Sequence, residues 1–109
     1  MEDDIRLVIV EDDDILRQNL VECLDAHGGF RIVAAFGKAE DCLEVTVWDE
    51  VDILLLDMEL PGMSGLELIE RLHQLNVPTK VAVFTNHDDR QLVFQAIQMG
   101  ALGYVLKGS

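Results

Sequence analysis

Short apolar runs of strand length alternate along this chain with segments whose apolar residues recur at helical spacing. The first run, residues 5–10 (IRLVIV), is followed at once by the acids Glu11, Asp12, Asp13 and Asp14. A helix is predicted from there to about residue 27, with Leu16, Leu20, Cys23 and Leu24 on one face. Acids at its start suit the positive end of a helix dipole, and Gly28-Gly29 stops it. Residues 30–36 read as a second strand and 39–48 as a second helix, although the β-branched run Val45-Thr46-Val47 fits a helix poorly. Residues 53–56 (ILLL) have the length and composition of a strand buried on both faces. Asp57 follows, then a Pro61-Gly62 turn, then Ser64 and Glu67 in the spacing of a capping box. The helix they open spans 65–75, with Leu68, Ile69 and Leu72 inward. A fourth strand at 80–84, a helix at 88–99 closed by Gly100, and a fifth strand at 103–106 complete the series. The inward stripe of that last helix is Leu92, Val93, Ala96, Ile97 and Met99, which leaves Phe94 at or beyond its edge, on a partner surface or against the rim of the core.

Strands that alternate with helices imply right-handed crossovers and a parallel sheet covered on both faces. All strand ends then face one way, and the residues delivered there are Glu11-Asp12, Asp57, Thr85 and Lys107. If strands one and three are neighbours, the helices leave on opposite faces between them and open a crevice of the kind in which such folds bind ligands. Three carboxylates gathered there repel one another, which raises a proton affinity or calls for a cation. An incomplete oxygen cage suits Mg²⁺ better than a soft metal, and the acids do not follow the spaced pattern of a calcium loop. Asp13 and Asp14 are better read as a solvated helix cap.

At 109 residues the chain has room for one domain with a real core, and half of it is hydrophobic. Its formal charge of −13, from 21 acidic and 8 basic residues, opposes direct contact with nucleic acid or an anionic membrane. The acidic start Met1-Glu2-Asp3-Asp4 and the lack of a long apolar segment argue against a signal peptide or a membrane span, so the expected location is cytoplasmic. Cys23 and Cys42 lack metal-type spacing and read as reduced, partly buried thiols.

Four stretches carry a further signal: Ile9-Val10-Glu11-Asp12-Asp13 with Arg17; the run from Leu56 through Gly65 (LDMELPGMSG); Thr85; and the run from Gly100 through Lys107 (GALGYVLK). In order and spacing, over residues 5–107, they resemble the receiver domain of two-component response regulators. The Gly-Tyr-x-Leu-Lys ending resembles the NarL/FixJ (LuxR-type) branch, whose receivers usually precede a helix-turn-helix DNA-binding domain. The resemblance implies a flavodoxin-like, doubly wound five-stranded parallel sheet in the order 2-1-3-4-5. It also implies that residues 1–109 are one receiver domain that stops before the fifth helix, with any output domain outside this chain. A missing fifth helix would bare part of one sheet face, predicting lower stability than a full receiver or self-association, as a homodimer for example.

For the site, the resemblance implies that Asp57 accepts a phosphoryl group from a sensor histidine kinase, as a carboxylate nucleophile. Glu11, Asp12, Asp57 and the backbone carbonyl of Glu59 would hold Mg²⁺; Thr85 and Lys107 would bind the phosphate. Tyr104 matches the family's switch aromatic, and Phe94 lies on the face of helix four and strand five that the family uses toward partners. The product is a changed surface rather than a released molecule, so the chain is expected to be a signalling domain and not an enzyme. Departures from the family are Asn86 where a small residue is common and Gly108 where proline usually follows the lysine. Glu59 and His87 occupy two positions that tune loss of the phosphate. Two other readings remain: a receiver-like interaction module that ignores Mg²⁺ and phosphodonor, and an aspartate-nucleophile phosphatase. The second needs more than Asp57-Met58-Glu59, because Leu60-Pro61 stand where such enzymes favour Thr or Val, and turnover of a phosphatase substrate would identify it.

Overall fold

A strand with no solvent on either side must be apolar at every position, and Val8, Ile9 and Val10 meet that demand at 1 % exposure or less. They belong to β1 (Ile5–Val10), which lies inside a sheet in the order β2-β1-β3-β4-β5, all pairs parallel. The computed structural model describes residues 4–44, 48–85 and 90–106. The other strands are β2 (Phe30–Phe36), β3 (Ile53–Asp57), β4 (Lys80–Thr85) and β5 (Gly103–Leu106). Between them run α1 (Asp14–His27), α2 (Ala39–Cys42), α3 (Gly65–Gln74) and α4 (Arg90–Gln98). This is the doubly wound arrangement expected, with its switch point between β1 and β3.

Successive strand residues point to opposite faces. On one face Val8, Val10, Leu54, Leu56, Val81 and Val83 join Leu68, Ile69 and Leu72 of α3, Cys42 of α2 and Ala96 of α4 in the main core. The opposite face is covered unevenly. Leu7 and Ile9 are buried, whereas Ile53, Leu55 and Ala82 are only partly so and Val105 is 47 % exposed. Helix α1 packs on the β2 side of the sheet and buries none of its residues fully. Leu16, Leu20 and Leu24 are half-buried, and Cys23, expected on that stripe, is exposed. Cys42 is buried, and desolvation pushes its thiol up to about 12, leaving it an inert core residue.

Local chemistry explains the ends of the helices. Asp13 caps α1 by accepting from the backbone N–H groups of Ile15 and Leu16, both at 3.0 Å, and Ser64 caps α3 by accepting from that of Glu67. Gly28 leaves α1 with φ 82°, and Gly100 follows α4 with φ 105°, a region disfavoured for side-chain-bearing residues. The second helix is shorter than expected. Leu43 N–H is shared between the carbonyls of Ala39 and Glu40, and Glu44 N–H bonds Asp41, so the coil tightens and stops. Val45, Thr46 and Val47 lie outside the described residues, and a single 3₁₀ turn (Trp48–Glu50) precedes β3. On α4, Ile97 is 47 % exposed rather than inward. The buried line runs through Leu92, Val93, Ala96 and Met99, and Ile97 sits a full residue step, about 100°, from Ala96 at its centre. Among the described residues no helix is long and apolar enough to cross a membrane.

At the amino edge Asp52 ties three strands together. Its carboxylate accepts from the Arg6 backbone N–H at 2.8 Å, from Nε at 3.1 Å and from Nη2 at 3.0 Å. Its own N–H donates to the Arg6 carbonyl, and its carbonyl accepts from Lys80. The Arg6 side-chain bond, and then the backbone bond, hold the Asp52 carboxyl below its ordinary value of 3.8. A carboxyl whose proton affinity falls on folding stabilises the fold above its unfolded pKa, and that contribution is lost as the pH drops through the folded-state value. Asp52→Asn is therefore expected to lower Tm clearly at neutral pH, with the gap to the parent chain closing as the pH falls below about 3.8. Thermal melts of both chains across the acid range check this.

Candidate functional site at the carboxyl edge of the sheet

Strand register decides which side chains meet. Val10 pairs with Leu56, so the next residue on each strand, Glu11 and Asp57, emerges side by side at the carboxyl edge. Carboxylate oxygens of Glu11, Asp12 and Asp57 all lie within 4.8 Å of one another. Glu11 and Asp57 are buried, at 1 % and 0 % exposure, while Asp12 is exposed. Two ionised carboxylates at that separation repel by roughly 3 kcal/mol at an effective dielectric of about 20. The fold imposes that repulsion through the core beneath.

The backbone around the acids is held at several points. Glu11 N–H donates to the Phe36 carbonyl at 3.0 Å, extending the β1–β2 ladder by one rung. Glu11 Oε2 accepts from Asp13 N–H at 3.0 Å, and the Glu11 carbonyl accepts from Arg17 Nη1 at 2.8 Å. Asp57 Oδ1 accepts from Glu59 N–H at 3.0 Å, a local turn that brings the Glu59 backbone up to the carboxylate. The Glu59 side chain itself is exposed. Asp13 takes the capping role expected of it, while exposed Asp14, the first residue of α1, is paired with Arg17 Nη2 at 2.7 Å.

Thr85 ends β4 with 1 % exposure, one residue beyond Phe84, the register partner of Asp57. The fifth strand runs beside it, Leu106 pairing with Thr85. Lys107 lies outside the described residues, as do Asn86, His87 and Gly108. Tyr104 and Phe94 are each 54 % exposed, which places both on the solvent surface of β5 and α4 in this structure.

An all-oxygen donor set, two members buried and one open to solvent, fits a hard cation that keeps part of its water shell, so the residues present suit Mg²⁺. Two residues of the motif stretches acquire a physical role in three dimensions. A Cβ on Gly65, the first residue of α3, would stand 2.8 Å from Met58 Sδ, 3.0 Å from Met58 Cα and 3.1 Å from the Asp57 carbonyl oxygen. The helix start thus abuts the backbone that carries the central acid. The other residue is Arg17, whose guanidinium grips the Glu11 carbonyl six residues back. A cation so near the start of a helix, against the dipole, was the available sign.

Residues 7–109 match the response regulator receiver domain, and the chain belongs to that family. Its relatives place it in the NarL/FixJ-type branch. It is 31 % identical to the nitrate/nitrite response regulator protein NarP of Escherichia coli, over 95 % of this chain and 48 % of the relative. It is 30 % identical to the response regulator GacA of Pseudomonas aeruginosa, over 96 % of this chain and 49 % of the relative. The chain spans about half the length of the curated relatives it matches. Among solved structures, the signal receiver domain of NarL from Mycobacterium tuberculosis superposes with a TM-score of 0.87 and 31 % identity, covering 98 % of this chain and 86 % of the other. A LuxR-family DNA-binding response regulator from Staphylococcus aureus gives 0.86 and 30 %, covering 96 % and 88 %. Membership of this family implies a part in phosphorelay signalling.

Because the atoms facing Gly65 are largely backbone, they cannot step aside. Gly65→Ala is expected to cost about 1–3 kcal/mol, as overpacking does. A lower urea midpoint with unchanged m-value would report it, and an unchanged midpoint would contradict the close approach.

Proposed function

We propose that this domain takes a phosphoryl group onto Asp57 from a sensor histidine kinase and thereby switches a partner-facing surface. The observation that carries the reading is the gathering of Glu11, Asp12 and Asp57 within 4.8 Å at the carboxyl edge, two of them buried. In the transfer an Asp57 carboxylate oxygen bonds to phosphorus as the phosphorus–nitrogen bond to the kinase imidazole breaks, and the imidazole takes up a proton. Glu11, Asp12, Asp57 and the Glu59 carbonyl are the groups that would hold Mg²⁺. When bound, the ion neutralises charge on the phosphoryl oxygens. Glu59 N–H orients the Asp57 carboxylate through its 3.0 Å bond. Thr85 supplies a hydroxyl and Lys107 an ammonium to the phosphate.

The new charge and acceptor oxygens draw Thr85 toward Asp57, and the rearrangement spreads to β5 and α4. Exposed Phe94, Ile97, Leu102 and Tyr104 give that region an apolar surface for a partner to read. The readout in this branch is control of an output such as DNA-binding transcription regulation, carried by a domain outside residues 1–109, in the cytoplasm. With 21 acids against 8 bases, this domain does not itself touch nucleic acid or membrane. The thinly covered part of the sheet, with Leu55, Ala82 and Val105, supports self-association of this chain.

Incubation with Mg²⁺ and acetyl phosphate, followed by intact mass measurement, tests the proposal. One phosphoryl group is expected, absent without Mg²⁺ and absent in Asp57→Asn. A folded chain that gains nothing would sink the phospho-acceptor reading in favour of an interaction module. Steady turnover of the phosphodonor with no retained group would favour a phosphatase.

A further inference from the structure

We infer that Arg17 is a positioning residue that sets how Glu11 and Asp12 present their carboxylates to a divalent cation, an inference that rests on the function just proposed. The carbonyl it grips belongs to the peptide joining those two residues, and Nη1 reaches it at 2.8 Å. The two dihedrals flanking that peptide, ψ of Glu11 and φ of Asp12, set the angle between the bonds leading to the two side chains, and a held carbonyl limits both. The backbone N–H of Glu11 is held by Phe36, and that of Asp13 by Glu11 Oε2, on either side of that peptide. Arg17 adds a restraint between them through the Glu11 carbonyl. Its second nitrogen, Nη2, is anchored on Asp14 at 2.7 Å, and the side chain is only 23 % exposed, so the fork is braced at both ends.

The loop after β2 is shaped around the same group. A Cβ on Gly37 would lie 3.1 Å from Arg17 Nη1 and 3.8 Å from Cζ. Gly37 does not adopt a left-handed φ, so what its missing side chain provides is room. The guanidinium is wedged between the Glu11–Asp12 turn and this loop. A lysine keeps the charge but has no planar fork to bond Glu11 and Asp14 together.

Charge and geometry make opposite predictions here. A cation beside an acidic cluster weakens its pull on another cation, so by Coulomb's law alone removing Arg17 tightens Mg²⁺ binding. If Arg17 acts by positioning, removing it loosens binding, as loss of a partner that orients metal ligands does. Calorimetric titration of the whole chain with MgCl₂ separates these, using the parent, Arg17→Met, Arg17→Lys and Gly37→Ala, with Tm in EDTA measured for each. Arg17→Met is expected to raise the Mg²⁺ dissociation constant about tenfold or more. Arg17→Lys should fall between it and the parent, and Gly37→Ala should weaken binding severalfold with Tm little changed. Parental or tighter affinity in Arg17→Met overturns the inference, including when its Tm falls, since a purely structural role moves Tm alone. Should Arg17→Met not fold, parental affinity in both Arg17→Lys and Gly37→Ala overturns it equally. A parent chain that binds no Mg²⁺ overturns the proposed function and this role together. Mg²⁺-dependent labelling of Asp57 alongside unchanged affinity in Arg17→Met removes only the role of Arg17.

Discussion

The parallel pairing of β1 with β3 is the constraint on which the rest depends. It sets Val10 opposite Leu56, and the residues that follow, Glu11 and Asp57, have no choice but to emerge together. Like charges at that distance would separate if they were free to do so. They stay because Val8, Val10, Leu54 and Leu56 below them are fixed in the close-packed core, and slipping either strand would break that packing. The energy of burying the sheet thus maintains an electrostatic arrangement that is unfavourable taken alone.

Around that pairing the molecule divides by stiffness and by charge. Under the acids lies the denser face, where α3 and the short α2 meet β1, β3 and β4. Asp52 and Arg6 lock the amino edge of the same two central strands, so β1 and β3 are tied at both ends. On the far side of the sheet α1 covers the β2 flank, and the half near β5 carries partly exposed Leu55, Ala82 and Val105. A signalling domain benefits from this contrast. The acid cluster stands on the packed ends of β1 and β3, while β5 and α4, with Tyr104, Val105, Phe94 and Ile97 exposed, are the lightly covered elements.

Much of this was legible in the sequence because the relevant information is local. Every strand was marked by an apolar run, and its end by a change to polar residues. Glu11, Asp12, Asp57 and Thr85 could be named as site residues because each stands at such a change. The errors in assigning helix faces share one cause, which is that periodicity reports a face without reporting what covers it. Ile97 and Cys23 fall beside helical stripes whose width depends on the neighbouring elements, and both are exposed. The second helix stopped early as hydrogen bonds from Leu43 and Glu44 tightened its last turn, just before the β-branched run that fits a helix poorly.

By itself the sequence determined the alternation of strands and helices, the caps at Asp13 and Ser64, the turns at Gly28 and Gly100, and the identity of the acids, because each of these follows from contacts within a few residues. Only the tertiary structure decided that three of those acids converge within 4.8 Å and that the Arg17 guanidinium lies close against Gly37. It alone decided, too, that Gly65 must lack a side chain to let α3 reach the Asp57 backbone. The reason is physical: distances between strand ends follow from register and packing, which are properties of the whole buried sheet and of no single segment within it.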